Sequence, residues 1–212
     1  MSNHRVVLRL LLLWTTVVLV PAQSARAQGQ IGAVVGATFS TLRGVDGLDR
    51  RTGLIGGLSL VFPSAGPFAW QTGALFVSKG AEGQGEVSGP NGLELTYLEV
   101  PLMLRLGFGS GSGMRPHVYA GPYFGFQIDC TVERFSGECD DFPGISTNSV
   151  DIGGILGGGL DYSFGPLILT GGVRYGFGVS KVADFEIGSV QESAKNGTFA
   201  IYTGLAFKLG GG

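Results

Sequence analysis

Leu95-Thr96-Tyr97-Leu98-Glu99-Val100-Pro101-Leu102-Met103-Leu104-Arg105-Leu106 is the stretch whose reading decides the fold. Every even position from Leu98 to Leu106 is aliphatic, and the odd positions hold Tyr97, Glu99, Pro101, Met103 and Arg105. A period of two describes a strand with one apolar face and one mixed face. A helix would scatter these leucines around its circumference and take Pro101 into its interior. The strand is long enough to cross a bilayer at a tilt, which takes about 9–11 residues. Pro101 brings no amide proton to a ladder, so a bulge or a missing hydrogen bond is expected there.

Outward from this stretch the same pattern recurs. Strands are expected at 31–40, 52–62, 68–79, 95–106, 115–129, 148–162, 167–180 and 198–209. Leu54, Leu58, Leu60 and Phe62 share one face of the second; Val118, Ala120, Phe124, Phe126 and Ile128 share one face of the fifth. The connections at 63–67, 108–114 and 163–166 are short and built from Gly, Ser and Pro. Those at 41–51, 80–91, 130–147 and 181–197 are longer and acidic. Strict alternation of short and long connections along about eight strands is the loop signature of an outer-membrane barrel, with short periplasmic turns and longer outer loops. The fold expected is all-β: an eight-stranded antiparallel up-and-down transmembrane barrel over residues 28–212.

Which face turns inward separates this barrel from a soluble, lipocalin-like, ligand-binding one. A water-facing sheet carries many Lys and Glu. The mixed faces here carry few charges, chiefly Lys79, Glu99, Arg105, Asp151, Asp161, Arg174 and Lys208, among Gly, Ser, Thr, Tyr and Gln. Such faces suit a narrow, filled interior. Leu98, Leu104, Leu169, Val173 and Ile201 are then expected to face lipid, with Trp70, Phe76, Phe126, Phe164, Tyr175 and Phe177 also outward.

Arg5 and Arg9, the apolar run Leu10–Val20, and Ala25-Arg26-Ala27 read as a secretory leader over residues 1–27, cleaved before Gln28. Beyond it, 11 basic residues face 16 acidic ones, net −5, which gives no support to nucleic-acid binding. The 39 glycines lack a three-residue period and point to close packing inside a small barrel. Cys130 and Cys139, close together in an exported chain, suggest a loop disulfide.

Ser78-Lys79-Gly80, Tyr97-Leu98-Glu99-Val100-Pro101-Leu102, Tyr119-Ala120-Gly121-Pro122-Tyr123, Gly157-Gly158-Gly159-Leu160-Asp161 and Arg174-Tyr175-Gly176 resemble the PorT-like outer-membrane β-barrel family. The resemblance covers nearly the whole chain beyond the leader. It implies an eight-stranded, porin-like barrel in a Gram-negative outer membrane, with lipid and the barrel-assembly machinery as partners. It implies little defined activity; some members are tied to secretion. Such barrels usually finish on an aromatic, whereas Phe207 is followed here by Lys208, Leu209 and three glycines.

The residues offer little for catalysis, and no enzyme is expected. His117 is the one histidine beyond the leader and reads as an inward polar residue beside Arg105. One histidine and two paired cysteines cannot make a zinc site, and no cofactor is expected. The Gly153–Gly159 run is followed by no helix that could present amides to a phosphate. Asp140-Asp141 lacks the spaced ligand set that Ca²⁺ needs. The expected site is an interior polar network of Glu99, Arg105, Arg174, Asp161 and His117, centred on Glu99 and Arg174. Turns near Gly111 and Phe164 would set Glu99 opposite Tyr123 and Arg174 opposite Ile155, with Gly73 beside Glu99. The function expected is structural, or an interaction through the outer loops with an extracellular or periplasmic protein. A small porin or transporter is the alternative, and a barrel enzyme acting on lipid stands further off.

Overall fold

The computed structural model describes residues 29–43, 48–83, 92–109, 113–132, 137–138, 145–147, 149–180, 183–187 and 190–209. The expected leader, Cys139 and the Asp140-Asp141 pair therefore lie outside the described residues. Among those residues there is no helix. Eight long strands are β1 (Gln30–Arg43), β2 (Leu48–Pro63), β3 (Phe68–Gly83), β4 (Gly92–Gly107), β5 (Met114–Val132), β8 (Val150–Phe164), β9 (Leu167–Gly178) and β11 (Val190–Lys208). Three short ones are β6 (Gly137–Glu138), β7 (Ile145–Thr147) and β10 (Ala183–Ile187).

Each long strand pairs antiparallel with the next long one along the chain, and β11 returns to pair with β1 from Gln30↔Lys208 to Arg43↔Lys195. The eight long strands thus form a closed barrel, which leaves none of them as an edge strand. The short strands fall in stretches expected as loops: β10 pairs with β11 and β7, and β6 pairs with β5. Acidic side chains exclude a strand from contact with lipid but do not interrupt a backbone ladder. Pairing therefore continues past the segments that the charges delimit.

The alternating pattern translates directly into two surfaces. Leu54 (70% exposed), Leu58 (56%), Phe76 (54%) and Leu205 (55%) point outward, while Glu99, Asp151, Lys79 and Arg174 are buried. A soluble barrel would have these surfaces reversed, so the apolar outside needs lipid. Leu104, Leu169, Val173 and Ile201 are exposed on this face. Leu98 is half-buried on it because its cross-strand neighbours, Phe76 and Phe126, flank it. Phe177 is half-buried as well. Its ring covers Gly154, where an added Cβ would meet the ring at 2.5 Å.

Inside, bulky rings are accommodated by glycines directly across the ladder. Tyr123 faces Gly153, His117 faces Gly159 and Tyr202 faces Gly172. A Cβ on Gly153 would lie 2.6 Å from the Tyr123 ring, and one on Gly172 2.8 Å from the Tyr202 hydroxyl. The Gly153–Gly159 run thus makes room for aromatic side chains of β5.

Pro101 interrupts the β3–β4 ladder. Pairing runs to Thr72↔Leu102 and resumes at Leu75↔Glu99 in the same register. The Thr72 hydroxyl donates to the Pro101 carbonyl at 2.7 Å, tying the strands together where the amide proton is missing.

Two expected registers are corrected. Glu99 pairs with Gly125 and Leu75, so neither Tyr123 nor Gly73 lies opposite it; Arg174 pairs with Gly157 rather than Ile155. Phe164↔Leu167 closes the β8–β9 hairpin on Gly165-Pro166, with Gly165 at φ 59°, as primed hairpin turns require. That turn is centred one residue later than expected, and a one-residue shift of a turn moves every cross-strand partner by two.

Candidate functional site

Inward-facing charges collect in two clusters along the lumen. The upper one is built on Glu99 of β4 and Arg174 of β9, both near the middle of their strands, with Lys79 of β3 and Asp151 of β8 above them. Parity sends all four side chains inward, and all four are nearly sealed from solvent, at 0–4% exposure. Arg174 donates to Glu99 across the lumen. Lys79 Nζ lies 3.1 Å from Glu99 Oε2 and 3.0 Å from Asp151 Oδ2. Asp151 also accepts from Tyr123 at 3.0 Å, Asn196 at 2.8 Å and Ser180 at 3.1 Å. The Lys79 ammonium sits 4.3 Å from the Tyr123 ring centroid and 5.1 Å from that of Tyr97, within cation–π range.

Two cations thus meet two carboxylates. A buried charge is tolerable only when paired and hydrogen-bonded; each of these four has an opposite partner, while Arg174 Nε has no hydrogen-bond partner among the described residues.

The lower cluster lies toward the short-turn end. Arg105 donates to Asp161, and its other terminal nitrogen lies 3.4 Å from Gln71 Oε1. His117 Nδ1 is 2.9 Å from Arg105 and 3.7 Å from Asp161 Oδ1. A guanidinium only donates, so Nδ1 accepts from it and the ring proton sits on Nε2. Between the clusters lies a layer of Met103, Tyr119, Tyr123, Ile155 and Tyr202, with Tyr119 and Tyr202 hydroxyls 3.0 Å apart.

The five residues expected to form one network are therefore divided. Glu99 and Arg174 meet in the upper cluster; Arg105, Asp161 and His117 meet in the lower. Arg105 is not a partner of Glu99. Sequence reasoning placed Lys79 and Asp151 on the inner face but left them out of the network, although their charge and parity were signal enough. Tyr123 was expected opposite Glu99 and instead donates to Asp151; Asn196 and Ser180 gave no signal, because their contribution depends on which strands lie across the lumen. Arg51–Glu94, paired at 2.6 Å, was also missed.

A closed antiparallel barrel with an apolar outer wall is the architecture by which β-sheet proteins cross an outer membrane, and the sequence matches a family model of that kind. The model of the outer membrane protein beta-barrel domain covers residues 21–184, more than half the chain. This chain belongs to that family. The outer-membrane barrel is similar in fold to the OprG outer membrane protein of Pseudomonas aeruginosa, with TM-score 0.60 and 16% identity over 87% of this chain and 97% of that one. It is likewise similar to the neisserial surface protein NspA, with TM-score 0.57 and 12% identity over 85% and 97% of the two chains. No curated protein matches the barrel in sequence. Family and neighbours place it in the outer membrane of a Gram-negative cell, surrounded by lipid.

Proposed function

We propose that this barrel is a closed outer-membrane protein with a side-chain-filled interior, whose role is structural or is exerted by its outer loops on another protein. The observation that carries this reading is the upper cluster. Lys79, Glu99, Asp151 and Arg174, contributed by four strands, meet at the centre with 0–4% exposure and balanced charge. Eight strands give an interior about wide enough for side chains to fill. The same reading takes 1–27 as a cleaved leader, 28–212 as the barrel domain, and the barrel-assembly machinery as its route into the membrane.

The protein is also read as neither a cofactor protein nor an enzyme. His117 is buried at 3% exposure, with Nδ1 against Arg105, so it is not free to act as a base toward a substrate. The resemblance to PorT-like barrels accords with this reading.

Single-channel recording of the purified protein in a planar bilayer tests it. The expected result is no steady current from the wild-type barrel. A steady current would establish the small porin instead.

A further inference from the structure

Closure at the upper cluster leaves open what lies beneath it. Three cavities run along the inside of β1, β2 and β3. The first, of about 100 Å³, opens at the short-turn end beside Arg105, Arg115, His117 and Asp161. The second, of about 30 Å³, shares Gln30, Val61, Arg105 and Asp161 with the first. The third, also of about 30 Å³, shares Val34, Ser59, Gln71 and Tyr202 with the second and ends at Arg174. Outer-membrane barrels insert with their short turns in the periplasm, so the string starts at the periplasmic mouth.

Two buried polar atoms mark the path. Asp161 Oδ1, where the first two cavities meet, and Arg174 Nε, on the residue that closes the third, have no hydrogen-bond partner among the described residues. Leaving such groups dry costs about 1–3 kcal/mol each. A water needs about 10–15 Å³ of such space and 2–4 polar partners. The third cavity has the space, and within a lining that also includes Val34, Ile55, Leu75 and Met103 it offers Ser59, Gln71, Tyr202 and Arg174 as polar partners.

We propose that the lumen is a half-channel. Water enters from the periplasm, passes Arg105 and Ser59, and reaches Arg174 in the middle of the membrane. There it stops, because Glu99, Lys79 and Asp151 fill the section above. The charged layer is thus wetted on its lower side, while Lys79 and Asp151 above are sealed at 2% and 0% exposure. Species admitted would be water and protic molecules of similar size; the cavities are too small for a nutrient-sized solute. This rests on the closed-barrel reading and adds a direction to it.

Water-edited solid-state NMR of the full-length protein in lipid bilayers tests the idea by timing polarisation transfer from water to arginine side-chain nitrogens. Arg174 Nε should build up within about two-fold of the Arg105 rate, with the Lys79 ammonium several-fold slower. Ser59→Val narrows the path between mouth and end. It should slow Arg174 several-fold and leave Arg105 unchanged; Val34→Leu serves if that variant does not fold. A dry Arg174 in the wild type would overturn the proposal, as would an Arg174 whose build-up neither substitution alters. A steady current in the planar bilayer would instead remove the closed-barrel reading itself.

Discussion

Tyr119 on β5 and Gly157 on β8 are direct cross-strand partners, and the phenol ring occupies the space where a side chain on Gly157 would stand. A Cβ there would lie 2.6 Å from both the ring Cζ and the hydroxyl oxygen. Gly157→Val should therefore destabilise the barrel by about 1–3 kcal/mol, the usual range for overpacking. Gly176→Ala is the control, because its Cβ would meet nothing nearer than the Thr198 carbonyl at 3.9 Å. That change should be neutral, or stabilising by up to about 1 kcal/mol through the lost flexibility of glycine. Urea unfolding in lipid vesicles reads both.

Glu99 and Arg174 should behave as a pair. Glu99→Gln leaves Arg174 and Lys79 sharing one carboxylate, and breaking a buried pair on one side costs about 3–5 kcal/mol. Glu99→Gln with Arg174→Gln leaves Lys79–Asp151 balanced at 3.0 Å, so the double variant should be more stable than Glu99→Gln alone. The same unfolding assay run as a double-mutant cycle gives the coupling. Strict additivity would mean that the two residues do not interact.

The outward face makes a depth-dependent prediction. Ile201 lies mid-strand between Ala37 and Val173, whereas Phe207 pairs with Leu167 at the short-turn end. Arginine at 201 should cost about 2–4 kcal/mol, and at 207 about 0–1 kcal/mol. Equal costs at both depths would contradict the placement of the bilayer. Spin labels at Leu104, Leu169 and Val173 should be relaxed by oxygen and shielded from a water-soluble agent.

Cys130 lies near the outer end of β5, and a bond to Cys139 is proposed to staple the connection that follows. Closing so short a loop is worth up to about 3 kcal/mol in the chain-entropy model. Thiol reagents applied to intact cells should leave the protein unmodified until a reductant is added. Labelling of both cysteines without reduction would rule the bond out.

Much of this architecture is legible in the sequence because a period of two is a local property. The Leu98–Leu106 alternation already assigns Glu99 and Arg105 to one face, and the same count does so for Asp161 and Arg174. Partner choice is not local. Whether Glu99 meets Arg174 or Arg105 depends on where each hairpin turns and how the strands tilt. The β8–β9 turn at Gly165-Pro166 shows how one residue of error there displaces a partner by two. The Gly–ring pairs are hidden for the same reason, since Gly157 has no visible purpose until Tyr119 is set opposite it. The ladder of β10 on β11 was obscured by its acids, which describe the solvent rather than the backbone.

The barrel seam closes between the two ends of the described chain, where the Leu209 amide donates to the Gly29 carbonyl at 2.6 Å. With the ends this close, the order in which the strands are read is incidental to the ring they make. A circularly permuted gene, with the ends joined by a short linker and a new start cut into a long connection, encodes the same cycle of neighbours. Such a chain would put any chosen hairpin in the place that β11 holds after the other described strands. It would separate what the ring needs in order to be stable from what its final strand supplies in order to be inserted.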